Sequence, residues 1–468
     1  MSKIIILGAG STGLAAGYEL AQNGHQVFII EKENKVGGLA RTEEYQGNLF
    51  DIGPHRFFTK NKEVQKFWED MLGQDLLKRP RLTRIYYQKK YFYYPLKLGN
   101  ALKNLGFLES AQIFMSLIKV RFLRLVKKSQ DKSFEDWVVN RFGRRLFNHF
   151  FKSYTEKLWG VSTSEIGAEW AGQRLQSMSL LKIIKSFIFK PQAGSVKSWV
   201  EEFYYPRLGA GQMSETIAKF ITNHGGQILL NSNIQKIIAD DGQLVTKVIY
   251  KNIAGEESEL AGDYFINTLP ITMLINIWGD SAASRVLPAI KNLSFRATIF
   301  VNLIIEKDKA FLDNWLYIHE PQVRVLRITN AASFSEEMVK PGKTVLTMEY
   351  VCNIEEEFWH KSEEELLTLA QAELRKIGII DHATIFGGKV IKVANTYPVY
   401  GFGYREDMAQ IFSYLSAFKN FQTAGRSGLY RYNNMDHSIL TGFYAARNIM
   451  GGHYNVLDVN ADDDYHEG

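Results

Sequence analysis

A single cysteine, Cys352, among 468 residues excludes an internal disulfide framework and any four-cysteine zinc site. A reducing compartment, the cytoplasm, is the expected location. No run approaches the roughly 18 uninterrupted apolar residues of a spanning helix. The short run Ile4-Ile5-Ile6-Leu7 leads straight into glycines and reads as a strand, not as a secretory signal. Charge of one sign is scarce too: 56 Lys and Arg against 50 Asp and Glu leave +6, too dilute to imply nucleic acid. Repeats, low-complexity linkers, metal-ligand clusters and a Ser-His-Asp constellation are all missing. What the chain has in quantity is aromatic: 30 Phe, 23 Tyr and 8 Trp suit a large core and a pocket for a planar ligand. With 46% hydrophobic and 23% charged residues it is an ordinary globular composition. Its length corresponds to roughly three domain-sized units.

The first residues read strand (Lys3–Leu7), tight turn, helix (Leu14–Asn23, stopped by Gly24) and strand (Gln26–Ile30). Such a βαβ unit implies a parallel sheet with right-handed crossovers. From Asn61 to Lys190 the pattern turns helical, with amphipathic segments Phe107–Lys128 and Phe134–Glu156. It is broken by one hairpin, Arg84–Tyr87 and Tyr91–Tyr94, ended by Pro95. A helix is expected over Met213–Asn223, then strands at Gln227–Leu230, within Ile234–Lys251 around an Asp241-Gly242 turn, and at Tyr264–Asn267. Further strands are expected at Ile299–Ile305, Val323–Ile328 and Thr344–Val351, a helix at Glu363–Leu374, and a closing strand and helix at Phe421–Ala424 and Ser438–Met450. The predicted class is α/β. A Rossmann-like nucleotide-binding domain (1–60, 200–270, 395–455) interleaves with a mixed helical and antiparallel-sheet substrate domain (61–199, 271–394). An acidic tail, 456–468, is expected to be disordered.

Gly8-Ala9-Gly10-Ser11-Thr12-Gly13 fits G-x-G-x-x-G between a strand and a helix, where the motif has physical meaning. Gly8 permits the tight turn, Gly10 lets backbone approach a pyrophosphate, and Gly13 allows helix to pack closely on strand. The phosphates would meet backbone N–H groups at the helix N-terminus. Glu31 ends the second strand, where a carboxylate takes ribose hydroxyls.

The following stretch, Glu31-Lys32-Glu33-Asn34-Lys35-Val36-Gly37-Gly38-Leu39-Ala40-Arg41-Thr42, resembles the second half of the FAD fingerprint of the amine oxidase superfamily. Amine oxidases, protoporphyrinogen oxidases, phytoene desaturases and UDP-galactopyranose mutases belong to it. The resemblance implies FAD as cofactor, with Lys32, the Gly37-Gly38 pair, Leu39 and Arg41 along its diphosphate and flavin. Thr423-Ala424-Gly425-Arg426 and Asn434-Met435-Asp436 precede the last helix. That helix would present its N-terminus to the flavin and favour negative charge on the reduced ring.

Three segments are similar to the mutases in particular. Gly53-Pro54-His55 stands where they carry a histidine loop beside the flavin; a histidine after Gly-Pro also serves as a satisfied turn residue. Tyr154-Thr155-Glu156-Lys157-Leu158-Trp159 resembles their uracil-holding signature, which implies Tyr154 and Trp159 at the base; an aromatic run on a helix also serves as core. Arg174, Arg324 and Tyr432 match the family's diphosphate contacts, with Arg327 competing for the place of Arg324; each arginine alone serves equally as a surface salt-bridge partner. Phe203–Met213 and Tyr397-Pro398-Val399-Tyr400 read more like protoporphyrinogen oxidases and desaturases. The resemblance thus implies a nucleotide-sugar mutase, isomerising pyranose and furanose through N5 of reduced flavin. His55, Arg324 and Arg426 would support N5, with no side-chain nucleophile. The alternative is a FAD-dependent oxidoreductase of an amine, porphyrinogen or polyene. Under that reading the basic amphipathic stretch Ala111–Lys128 would touch the inner membrane face; a solvated charged face is the plainer reading. These patterns specify no oligomeric state.

Overall fold

The computed structural model describes residues 1–94, 96, 98–126, 131–168, 202–241, 243–278, 285–380 and 382–459. Five parallel strands form one sheet, in the order Phe421–Thr423, Tyr264–Asn267, Lys3–Leu7, Gln26–Ile30, Gln227–Leu229. Their side chains alternate between two apolar layers, as a parallel sheet buried on both faces requires. Ile4, Ile6, Val27 and Ile29 pack with the helices Ser11–Gln22, Gly211–Asn223 and Met435–Ile449. Ile5, Leu7, Phe28 and Ile30 pack with Ile271–Asn276, Tyr404–Leu415 and an antiparallel sheet of Asn233–Ala239, Val245–Lys251 and Glu257–Ala261. The chain leaves Lys3–Leu7 to one side for Gln26–Ile30 and later returns to its other side. That reversal opens a crevice beyond the strands' C-terminal ends, the usual ligand position in such sheets.

A larger sheet orders Ile385–Pro398, Phe295–Glu306, Lys343–Cys352, Arg327–Asn330, Trp315–Ile318, Thr83–Tyr87 and Lys90–Tyr93. Its pairs are antiparallel except Trp315–Ile318 with Thr83–Tyr87. One face packs on the helix Glu363–Ile377 through Met348, Tyr350, Leu366 and Leu374. The other carries Glu349, Val351 and Tyr397 toward the candidate site.

Several expectations change. The segment Phe134–Glu156 is not one helix. It breaks at Gly143, whose φ is +82°, and passes through a five-residue π turn, Asn148–Lys152, before Ser153–Trp159. A Cβ at Gly143 would lie 2.9 Å from Ser116 Oγ, so the helix Phe107–Val126 crosses too close for a side chain there. The expected strand Val323–Ile328 starts only at Arg327. Upstream, the N–H groups of Arg324 and Val325 donate to the Glu373 carboxylate at 2.6 and 3.0 Å instead of to a strand. The second hairpin strand begins at Lys90, because Gln88 and Lys89 both take positive φ as the turn. The long strand Ile385–Pro398 was not foreseen. Residues 95, 127–130, 169–201, 242 and 460–468, and with them Pro95, Lys127, Lys128, Arg174, Gly242 and most of the acidic tail, lie outside the described residues.

Candidate functional site

The turn after the first strand is glycine for steric reasons. Gly8 has φ +102°, and a Cβ on Gly13 would lie 2.0 Å from the Gly8 carbonyl oxygen. Gly10 caps the first helix and forms an isolated β-bridge with Gly37. The helix start carries no side-chain cap and no acidic residue in its first turn, so its N–H groups and partial positive charge face outward past half-buried Ser11. Glu31 is buried; one oxygen accepts the Ala9 N–H at 2.8 Å and the other the Glu33 N–H at 3.0 Å. Each oxygen keeps a second lone pair for a ligand hydroxyl. Arg41 donates to the Gly38 carbonyl at 3.0 Å and to Glu43 at 2.6 Å, pinning the glycine pair beside half-buried Leu39. Lys32 points to solvent, paired with Glu33 at 3.6 Å.

The far wall is the start of the last helix. A Cβ on Gly442 would be 2.4 Å from the Thr12 carbonyl oxygen, so first and last helices touch backbone to backbone, and one on Gly425, in the turn before the last helix, would be 2.5 Å from Thr12 Oγ1. Ahead of Met435, the Asn434 N–H donates to His437 Nδ1 at 3.3 Å. Asp436 is 4% exposed, yet its Oδ1 has no hydrogen-bond donor among the described residues. A buried carboxylate oxygen of this kind can take a donor from a ligand or from water. Gly53, with φ +99°, carries the Pro54-His55 loop in; His55 Nδ1 sits 3.1 Å from the Gly53 carbonyl oxygen.

Between these walls lies a cluster of arginine and tyrosine. Tyr397 and Tyr432 stack at 5.5 Å with 15° between planes. The Arg426 guanidinium lies 4.2 Å from the Tyr432 ring centre. Its hydrogen bonds go to the carbonyls of Thr396 and Asn433. Arg327 sits opposite Glu349 in the sheet register and binds it through two 2.7 Å contacts, with the Tyr397 hydroxyl 3.4 Å away. Burial works against the Arg327 cation, but Glu349 more than restores it and holds its pKa well above the usual value. Tyr154 packs beside Leu326, Val351, Tyr397 and Tyr432, and burial raises its hydroxyl pKa well above the ordinary range.

Of the residues singled out in the sequence, Tyr154, Arg327, Arg426 and Tyr432 come together. Arg324 does not: it pairs with Glu356 at 2.5 Å and covers the Phe358 ring, 40% exposed. Trp159 does not face Tyr154 either. It is buried among Phe134, Trp137, Phe147 and Ile166, because the short helix after the π turn points it into the helical core. Three participants were missed. Glu349 was legible only as a lone acid in the apolar run Thr344–Cys352. His319 stacks on Tyr154 at 5.0 Å, and burial, then Lys157, lowers its pKa to about 3. Asp51, next to the Gly53 loop, accepts from Thr42 and Tyr205 at 2.6 Å each, and burial pushes its pKa up to about 6.

Fold and turn together define a site of the dinucleotide-binding type. The sequence matches the family described as flavin containing amine oxidoreductase over residues 11–450, and the chain belongs to that family. It is 21% identical over 402 residues to 15-cis-phytoene desaturase of Synechococcus elongatus, covering 80% of each protein. To a probable UDP-galactopyranose mutase of Klebsiella pneumoniae it is 28% identical over 171 residues, 36% of this chain and 43% of that one. The crystal structure of reduced UDP-galactopyranose mutase superimposes with a TM-score of 0.81 at 19% identity, covering 99% of this chain and 97% of that one. At that identity the likeness is one of fold. The family implies a flavin, and the open helix start, the spare lone pairs of Glu31 and the unmet Asp436 oxygen fit one.

Proposed function

We propose that the chain binds FAD and, with the flavin reduced, interconverts the pyranose and furanose forms of a nucleotide-linked sugar. The observation that carries this reading is Arg426. Among the described residues its donors meet carbonyls and no carboxylate, so a half-buried positive charge stands uncompensated over two stacked tyrosines. Such a charge, beside tyrosine hydroxyls, suits a diphosphate through charge-assisted hydrogen bonds.

For the cofactor, Glu31 would take ribose hydroxyls, the start of the first helix the pyrophosphate, and Asp436 a ribityl hydroxyl. The start of the last helix would favour negative charge on the ring. When bound and reduced, the flavin supplies an electron-rich N5 as nucleophile toward an anomeric carbon. Arg426 and Tyr432 would hold the departing diphosphate and neutralise its growing charge. Arg327, fixed by Glu349, would orient the Tyr397 hydroxyl on the same side, and the Tyr154 face would exclude water around a pyrimidine.

The alignment with a desaturase over 80% of the chain favours a second reading, a net oxidoreductase of an apolar substrate. The two separate on one assay. UDP-galactopyranose and its N-acetyl and deoxy analogues are incubated with dithionite-reduced and with air-oxidised protein, and the nucleotide sugars are resolved by chromatography. Furanose formed only by reduced protein, without oxygen uptake, supports the mutase. Peroxide formed from an amine, porphyrinogen or polyene by oxidised protein, with no furanose, eliminates it.

A further inference from the structure

The helix Phe107–Val126 stands apart from the site and from the reaction proposed above, and its outer face gathers several exposed apolar side chains. Phe107 and Leu108 are 86% and 77% exposed, and Phe114, Met115 and Phe122 each 60% or more. At about 100° per residue these five and the exposed Ile118 fall within one arc of about 120°. Arg121 lies at one margin of the arc and Lys119 at the other, both exposed. The only acidic residue of the helix, Glu109, is turned inward, where it meets His149 at 2.8 Å and Arg145 at 3.2 Å. Ser116, also on the inner side, faces Gly143 and accepts the Arg145 N–H. Glu109 and Ser116 therefore tie the helix to the body, and the apolar arc faces outward.

We propose that this face seats the protein on an anionic membrane surface, with the helix axis in the plane of the interface. Three features select a bilayer as the occupant. The apolar arc is continuous and aromatic-rich, as burial at the level of headgroups and first acyl carbons requires. The cations sit on its two margins, where long side chains reach back to lipid phosphates while their stems stay in the apolar layer. No acid on the outer face of this helix opposes an anionic surface. No helix among the described residues is long and apolar enough to cross a membrane, so this one lies on it.

The test uses the full chain with its flavin bound, floated on sucrose gradients with phosphatidylcholine vesicles or mixed phosphatidylcholine–phosphatidylglycerol vesicles. Wild type should float with the mixed vesicles, less with phosphatidylcholine alone, and less at high salt. The pair Phe114→Ser and Phe122→Ser should lower the vesicle-bound fraction by about tenfold or more, with flavin absorbance and melting temperature unchanged. Lys119→Glu with Arg121→Glu should weaken binding to the mixed vesicles and leave the phosphatidylcholine result alone. Phe114→Trp supplies a conservative reporter: the emission it adds over wild type should be quenched by brominated acyl chains. The proposal is overturned if wild type does not float, or if the serine pair floats like wild type. It also fails if the added emission of the Phe114→Trp variant escapes quenching while the protein floats. Dissociation of a dimer by the serine pair, with neither form floating, would assign the face to a second copy and overturn it equally.

Discussion

Arg426 lies flat over Tyr432, its guanidinium 4.2 Å from the ring centre, while Tyr432 in turn stacks on Tyr397. The two carbonyls that fix Arg426, those of Thr396 and Asn433, belong to the end of a sheet strand and the approach to the last helix. One side chain thus ties the larger sheet to the approach to the last helix, and among the described residues it meets no carboxylate.

Arg426→Lys keeps the charge and loses the planar fork. Affinity for UDP, followed by the perturbation of flavin absorbance, should fall by about tenfold or more. Flavin content should hold. An unchanged affinity would mean that the guanidinium serves only to tie Thr396 to Asn433.

Gly10 and Gly13 should separate cofactor binding from folding. A Cβ on Gly13 meets backbone at 2.0 Å, so Gly13→Ala must displace the first helix and lower stability by about 2 kcal/mol or more. A Cβ on Gly10 meets only the Gly38 Cα, at 4.0 Å, which is ordinary contact. Gly10→Ala should therefore melt near wild type in the flavin-free state, yet retain little flavin, because the methyl group fills the approach to the turn. Flavin absorbance and apo-protein melting curves check both.

Asp51 should give stability a pH dependence of unusual sign for a carboxylate. Burial raises its folded pKa from 3.8 to about 6, against hydrogen bonds from Thr42, Tyr205 and Ala210. Between those two values the folded state holds a proton that the unfolded state releases. This contribution is fully present below the unfolded pKa and is lost as pH rises through about 6. Wild type should accordingly lose ground to Asp51→Asn as pH goes from about 4 to about 7, in parallel urea titrations. A difference that stays constant over that range would contradict the raised pKa.

Trp159 and Tyr154 are five residues apart and should behave differently. Trp159→Ala empties a site in the helical core and should cost about 3–5 kcal/mol of stability. Tyr154→Ala, at the edge of the cluster with Tyr397 and Tyr432, should weaken UDP binding at a smaller cost in stability. Equilibrium unfolding and UDP titration of both variants decide it.

The glycine turn and the parallel strands were legible because their demands are local. The turn needs residues without a Cβ at fixed positions, and Ile4 to Leu7 are apolar on both faces. The arginine site was legible only in part. Arg324 and Arg327 cannot be told apart by spacing, because what separates them is distant in sequence: Glu373 captures the backbone at Arg324, and Glu349 faces Arg327 across the sheet. Trp159 followed a matching motif, but the π turn at Asn148–Lys152 and the Gly143 break set the direction of its helix. His319 gave no sequence signal, since its place depends on Tyr154 meeting the end of a strand 165 residues later.

The isomerase reading can be put to a count. Protein is reduced once without oxygen, freed of excess reductant and given UDP-galactopyranose in excess, and furanose is measured against bound flavin. Many furanose molecules per flavin are expected from that single reduction, since the electrons are returned in every cycle. No furanose, or product limited to one molecule per reducing equivalent, would contradict it.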